Sequence, residues 1–170
     1  MRASQWSALI STCALAVVAL SFSCDAFIGW RQNGRIPENI REHVMSMTMA
    51  VDVLIELNAI SLSYSAGELT DAALDAQIDA ALGRARDSPE ALLKVSAVSM
   101  EVSDMQGIHN RVAFERAGFR AVYWIHRYGG QDAIKALELL IVEGYADGGF
   151  GLEIDEALDS LKGGPKFNPW

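Results

Sequence analysis

The residues best suited to soft-metal chemistry in this chain are its histidines and methionines. The stretch EHVMSMTM sets His43 beside Met45, Met47 and Met49. Thioether sulfur is a soft ligand and favours Cu(I) or Ag(I). On a helix, alternate residues point about 200° apart, so the three methionines splay and do not converge on one ion. Residues four apart do share a face. His43 with Met47 is one such pair, and Met105 with His109 repeats the spacing on a later segment if one helix carries both. Two His/Met pairs on two helices would make a four-ligand copper site. The competing use of these residues is core packing. Methionine is a flexible filler, and Met47 and Met105 both fall on apolar stripes. The primary expectation is therefore no cofactor, with copper as the alternative.

A second pattern is cationic. At about 100° per residue, Arg116, Arg120 and Arg127 lie within about 40° of one another on one helix face. In an acidic protein such a stripe is a docking surface for phosphate, acidic lipid or a partner's carboxylates. Its internal alternative is the ridge Asp71, Asp75 and Asp79, spaced by four on another helix. Two ridges of opposite charge and similar length can pair. The chain closes on KGGPKFNPW, and its aromatics Phe167 and Trp170 are a further candidate contact for a partner. Asn58 reads as a buried polar residue satisfied by a neighbouring helix, and Glu115 and His126 as flanks of a core arc.

Familiar catalytic spacings are missing. The sequence holds no H-E-x-x-H, G-x-S-x-G, Walker loop, EF-hand loop or C-x-x-C. The segment DGGFGLEIDE lacks the alternating acids of a calcium loop. Residues 115–161, with ERAGFRAVYWIHRYGG and a later EAL, loosely resemble the helical tail behind the metal site of gluzincin-type zinc metallopeptidases. The zinc motif itself is absent, so the resemblance carries over no catalytic residue.

The elements that must position these groups are helices. No stretch alternates with period two for long, and the glycine and proline signals fall between periodic runs. The pattern predicts a first helix from Pro37 to about Ser65 with two apolar stripes. The main one is Ile40, Val44, Met47, Val51, Leu54, Ile55, Asn58 and Leu62; the second is Val53, Leu57, Ile60 and Tyr64. A second helix is predicted from an N-cap at Thr70 to about Arg86. A third is capped by Ser88 with Pro89 in its first turn. Its predicted core face is Val95, Val98, Val102 and Met105. A fourth ends at Tyr128 before Gly129-Gly130, a fifth spans about Gln131–Glu143, and a short sixth about Glu153–Leu161.

The N-terminus speaks to location. Arg2 is followed by 22 uncharged residues, Ala3 to Cys24, with an apolar centre and small residues after it. This is the layout of a secretory signal peptide, with cleavage expected after Ala26. A run of that length also suits an uncleaved anchor, and lipidation at Cys24 is a third form. Both cysteines, Cys13 and Cys24, precede the expected cut, so the remaining chain would rely on packing without disulfides. The full chain of 170 residues carries a net charge of −8, which argues against nucleic acid as a partner.

The sequence thus predicts an all-α, single-domain helical bundle of five or six helices. Residues 1–26 form the signal peptide or anchor, 27–36 an irregular lead-in, 37–161 the bundle and 162–170 an irregular tail. The expected setting is periplasmic or secreted. The expected role is non-catalytic: a binding or accessory protein that docks a protein partner in the cell envelope, in the manner of an inhibitor or immunity protein. Contact with a membrane is expected only if the N-terminus stays uncleaved or lipidated. Soft-metal binding is the second reading, and a hydrolase with an unrecognised site the third.

Overall fold

A computed structural model describes residues 38–105, 111–144 and 149–168. The signal-peptide and lead-in expectations fall outside these residues. Six helices and no strand occur among the described residues: α1 Glu38–Ser65, α2 Asp71–Leu82, α3 Pro89–Asp104, α4 Arg111–Tyr128, α5 Gly130–Val142 and α6 Gly149–Leu161. The chain is an all-α bundle. It divides into two compact units, Met1–Met45 and Ser46–Trp170, with the boundary inside α1. The buried residues of α1 begin at Ser46.

Local chemistry sets the helix ends. The Thr70 hydroxyl accepts the Ala73 N–H at 3.3 Å and starts α2. The Ser88 hydroxyl does the same for Ala91 at 3.2 Å, with Pro89 next in line at the start of α3. Between α4 and α5 the chain reverses through Gly129 and Gly130, both at φ +73°, a conformation that side chains with a Cβ rarely adopt. The last helix begins at Gly149, four residues ahead of the predicted Glu153. Tertiary packing overrides the poor helix propensity of its glycines: the Phe150 ring stacks on Phe119 with centroids 4.1 Å apart.

α4 is the hub of the second unit. It packs against α2, α3, α5 and α6, most extensively against α3. Its buried arc, Ala113, Phe114, Ala117, Gly118, Ala121, Val122 and Ile125, is the predicted one, except that Tyr128 is exposed. The buried residues of α3 include the small side chains Ser96, Ala97, Ser99 and Ser103, and Ser96 donates to the Gly118 carbonyl of α4. Small side chains let backbones approach closely. Phe150 lies over Gly118, where an added Cβ would stand 3.0 Å from its ring. The contacts run in the same order along both chains, Phe150 near Gly118 and Ser160 near His126, so α4 and α6 are parallel.

Two predicted core faces are corrected. On α1 the inner face is the second stripe, Val53, Leu57 and Ile60, joined by Ala50, Leu54 and Ser61. Ile55 and Leu62 of the main stripe stay 56% and 52% exposed. Polar links fix this rotation. Arg84 beyond α2 donates to Glu56 at 2.7 Å, and Tyr64 donates to Asp71 at 2.8 Å. On α1, Glu56 flanks the second stripe and Tyr64 belongs to it. On α3 the fully buried residues include Leu92, Val95, Ser96 and Ser99, with Met100 close behind; Val98 and Val102 are half-buried. Met105 is 52% exposed because α3 ends at Asp104 and Met105 itself turns to an extended backbone.

Candidate functional site

The proposed docking arginines are engaged within the chain. Arg116 reaches Asp71 and Asp75, each at 3.2 Å. Arg120 reaches Asp75 at 3.5 Å and bonds Asp79 as well. The two helices run parallel, so each guanidinium seats between two successive aspartates of the α2 ridge. This is fork geometry that arginine satisfies and lysine does not. Arg120 is the more deeply set, its side chain 18% exposed against 33% for Arg116. Burial on its own pushes the Arg116 pKa down, but the hydrogen bond and charge of Asp75, with Asp71 and Tyr64, outweigh it and hold the pKa above the ordinary value. Tyr64 donates its hydroxyl to Asp71, which raises the phenol pKa. Arg127 leaves this ladder. Its guanidinium donates to the Tyr123 hydroxyl at 3.2 Å and lies 5.7 Å from the Trp124 ring centre.

The tail is held too. The Phe167 N–H donates to Ser160 Oγ at 3.1 Å, and the Phe167 ring tilts against His126 with centroids 5.0 Å apart. His126 Nε2 lies 3.2 Å from the same Ser160 oxygen. Burial lowers the His126 pKa, so the ring is neutral near pH 7. A neutral imidazole beside a serine hydroxyl is the starting arrangement for nucleophilic catalysis. Here the serine oxygen already accepts a backbone N–H, and among the described residues no carboxylate orients the imidazole. Its chemistry is that of a latch. Sequence spacing gave no hint of this pairing, because Ser160 and His126 stand 34 residues apart. Glu115 instead pairs with Arg111 at 3.9 Å. Trp170 lies outside the described residues.

Three of the four proposed metal ligands, His43, Met47 and Met105, fall among the described residues. His43 and Met47 are half-buried on α1. Met105 follows the end of α3, and His109, its proposed companion, is outside the described residues. No group of three or more His, Cys, Asp or Glu among the described residues could hold a metal ion.

The remaining feature is a groove beside α1. It encloses about 410 Å³ and is lined by Met49, Asp52, Val53, Ile55, Glu56, Ala59 and Arg84. Glu56 takes the Arg84 guanidinium on Oε1, while its Oε2 is sealed from solvent with no donor. Asp52, one turn earlier, is exposed and has no ion pair among the described residues. Ile55 forms the border between this acidic groove and the outward stripe of Val51, Asn58 and Leu62. Sequence reasoning placed Ile55 and Leu62 in the core. Spacing within α1 does not mark them as outward: Glu56 meets Arg84 beyond α2, and Tyr64 meets Asp71 on it. Comparison with known proteins returns no match to a family model, a curated protein or a solved structure.

Proposed function

We propose that the chain is an exported helical accessory protein that docks a protein partner of the cell envelope through the outer face of α1, without catalysing a reaction on it. The observation that supports this reading is the contrast in satisfaction. Arg116 and Arg120 have their counter-charges inside the fold, whereas the α1 groove leaves apolar side chains and the Asp52 carboxylate open. Covering Ile55 and Leu62, each about half exposed, would contribute on the order of 1 kcal/mol apiece. A polar rim around an apolar centre is the usual anatomy of a protein contact.

Export rests on the N-terminal run from Ala3 to Cys24. Among the described residues, Glu38–Ser65 is the one helix long and apolar enough to cross a membrane by length and composition. Val53, Leu57 and Ile60 on its inner face are buried, which supports a docking role for the outer face over a spanning one.

A photocrosslinking amino acid at position 55, in full-length protein expressed with its own N-terminus, tests the reading. The expected result is one partner, identified by mass spectrometry in the envelope fraction. It should be captured from position 55 and equally well when Arg116 and Arg120 carry the Arg116→Gln and Arg120→Gln changes. Capture that needs the arginines and ignores position 55 would return the docking surface to α4.

A further inference from the structure

We infer that the segment received by the α1 groove is a basic amphipathic helix, whose apolar side chains cover Ile55 and whose Lys or Arg reaches Asp52, beside the charge of Glu56. The inference rests on the docking reading above and adds the chemistry of the partner.

The groove itself argues for this chemistry. Its walls are apolar at Met49, Val53, Ile55 and Ala59, and its charges are two carboxylates against one guanidinium. Arg84 satisfies one oxygen of Glu56, and the Asp52 carboxylate one turn earlier stays exposed. An ammonium or guanidinium on the partner answers the excess negative charge at that open carboxylate. Asp52 and Glu56 stand one helical turn apart, so a partner helix laid along α1 meets them with cations at the same spacing. Helix-in-groove recognition uses apolar anchors three and four residues apart, and Ile55 with Ala59 offers the matching floor. The long-range field acts in the same sense: a chain of net charge −8 attracts a basic segment and repels an acidic one. An anionic lipid surface is disfavoured by the same charges.

A selection from a random peptide library displayed on phage, panned against the full-length exported protein, tests this chemistry directly. Enriched peptides should carry Lys or Arg three or four residues from Leu, Ile or Phe. Their affinity should fall at least tenfold on Ile55→Asp and at least tenfold on the pair Asp52→Asn with Glu56→Gln. It should hold or rise on Arg84→Gln, which frees the second Glu56 oxygen. Ile55 is exposed, and circular dichroism verifies that each variant keeps its helices. Peptides that depend on Ile55 but lack basic residues, or that ignore the carboxylate changes, would overturn the basic partner and leave docking standing. If no enriched peptide depends on Ile55, both readings fall. Cosedimentation with phosphatidylglycerol vesicles that is lost on Ile55→Asp would overturn the inference in favour of a lipid surface.

Discussion

The α2–α4 ladder and the outer face of α1 carry the same kinds of residue and end in opposite states. Along the ladder two arginines face three aspartates and every guanidinium has two acids. Along α1 two acids face one arginine, and apolar side chains stand beside them in the open. The difference comes from geometry. α2 and α4 are parallel and close, so ridges spaced by four meet in register. Among the described residues no other helix approaches the α1 backbone comparably, and side-chain links such as Arg84 to Glu56 and Ser46 to Ser88 join it to the rest. A charged stripe is thus a poor guide to a docking surface until its counter-charges inside the chain have been counted.

The largest expected effect sharpens the contrast between the two faces of α1. Leu57 is 1% exposed and Ile55 56%. Leu57→Ala should cost about 3 kcal/mol of stability through lost burial and a residual cavity. Ile55→Ala should change stability by less than about 0.5 kcal/mol while weakening docking. Urea denaturation of both variants reads the difference. Equal losses would mean that α1 is buried on both faces, and the docking surface would have to be sought elsewhere.

Next comes the ladder. Arg120→Ala leaves Asp75 and Asp79 facing each other across the vacated site and should cost about 2 kcal/mol. Arg116→Ala should cost less, about 1 kcal/mol, because solvent screens its more exposed pairs. Thermal unfolding at low and high salt checks the order, and partner capture should be unaffected in both.

Much of this architecture is legible in the residues. Thr70, Ser88-Pro89 and Gly129-Gly130 mark helix ends through capping chemistry that acts within a few residues. The α4 arc and the pairing of Arg and Asp ridges follow from a single periodicity. What periodicity leaves open is which of two apolar stripes on α1 turns inward. That choice depends on Glu56 finding Arg84 and Tyr64 finding Asp71, contacts between helices that spacing within one helix does not encode. Met105 illustrates the same limit: it continues an apolar stripe on paper, but α3 stops one residue before it. The His126–Ser160 latch is wholly tertiary in origin.

Glu153 provides a control for the groove. Its Oε2 is also shielded and without a donor, and burial, with Glu156 nearby, raises its pKa above the ordinary 4.5. A raised carboxyl pKa means that the folded state holds the proton more tightly, so stability falls as pH rises through the folded value. Glu153→Gln should therefore stabilise at pH 7 by up to about 1 kcal/mol, with the gain fading below the ordinary carboxylate range. Docking should not change. If Glu56→Gln behaves the same way, gaining stability with no effect on peptide binding, then its unpaired oxygen is only a packing defect like that of Glu153.

The smallest effect is at the latch, where the comparison gains a third region with its groups matched. Burial lowers the His126 pKa below the ordinary 6.5. The unfolded chain then takes up a proton before the folded one does, so the contribution is full above pH 6.5 and is lost as pH falls below it toward the depressed value. The ring keeps some contact with solvent, which limits the loss to about a few tenths of a kcal/mol. A protonated imidazole can still donate to Ser160 Oγ, and that oxygen can still accept from Phe167, so the tail should stay in place while the fold weakens slightly. Denaturant titrations at pH 7.5 and 5.5 of the unsubstituted protein and His126→Gln separate this loss from that of the carboxylates. Proteolytic sensitivity near Phe167 reports on the tail: cleavage that rises at pH 5.5 only when His126 is present would show that protonation opens the latch, and the tail would then join α1 as a surface whose partners are set by conditions.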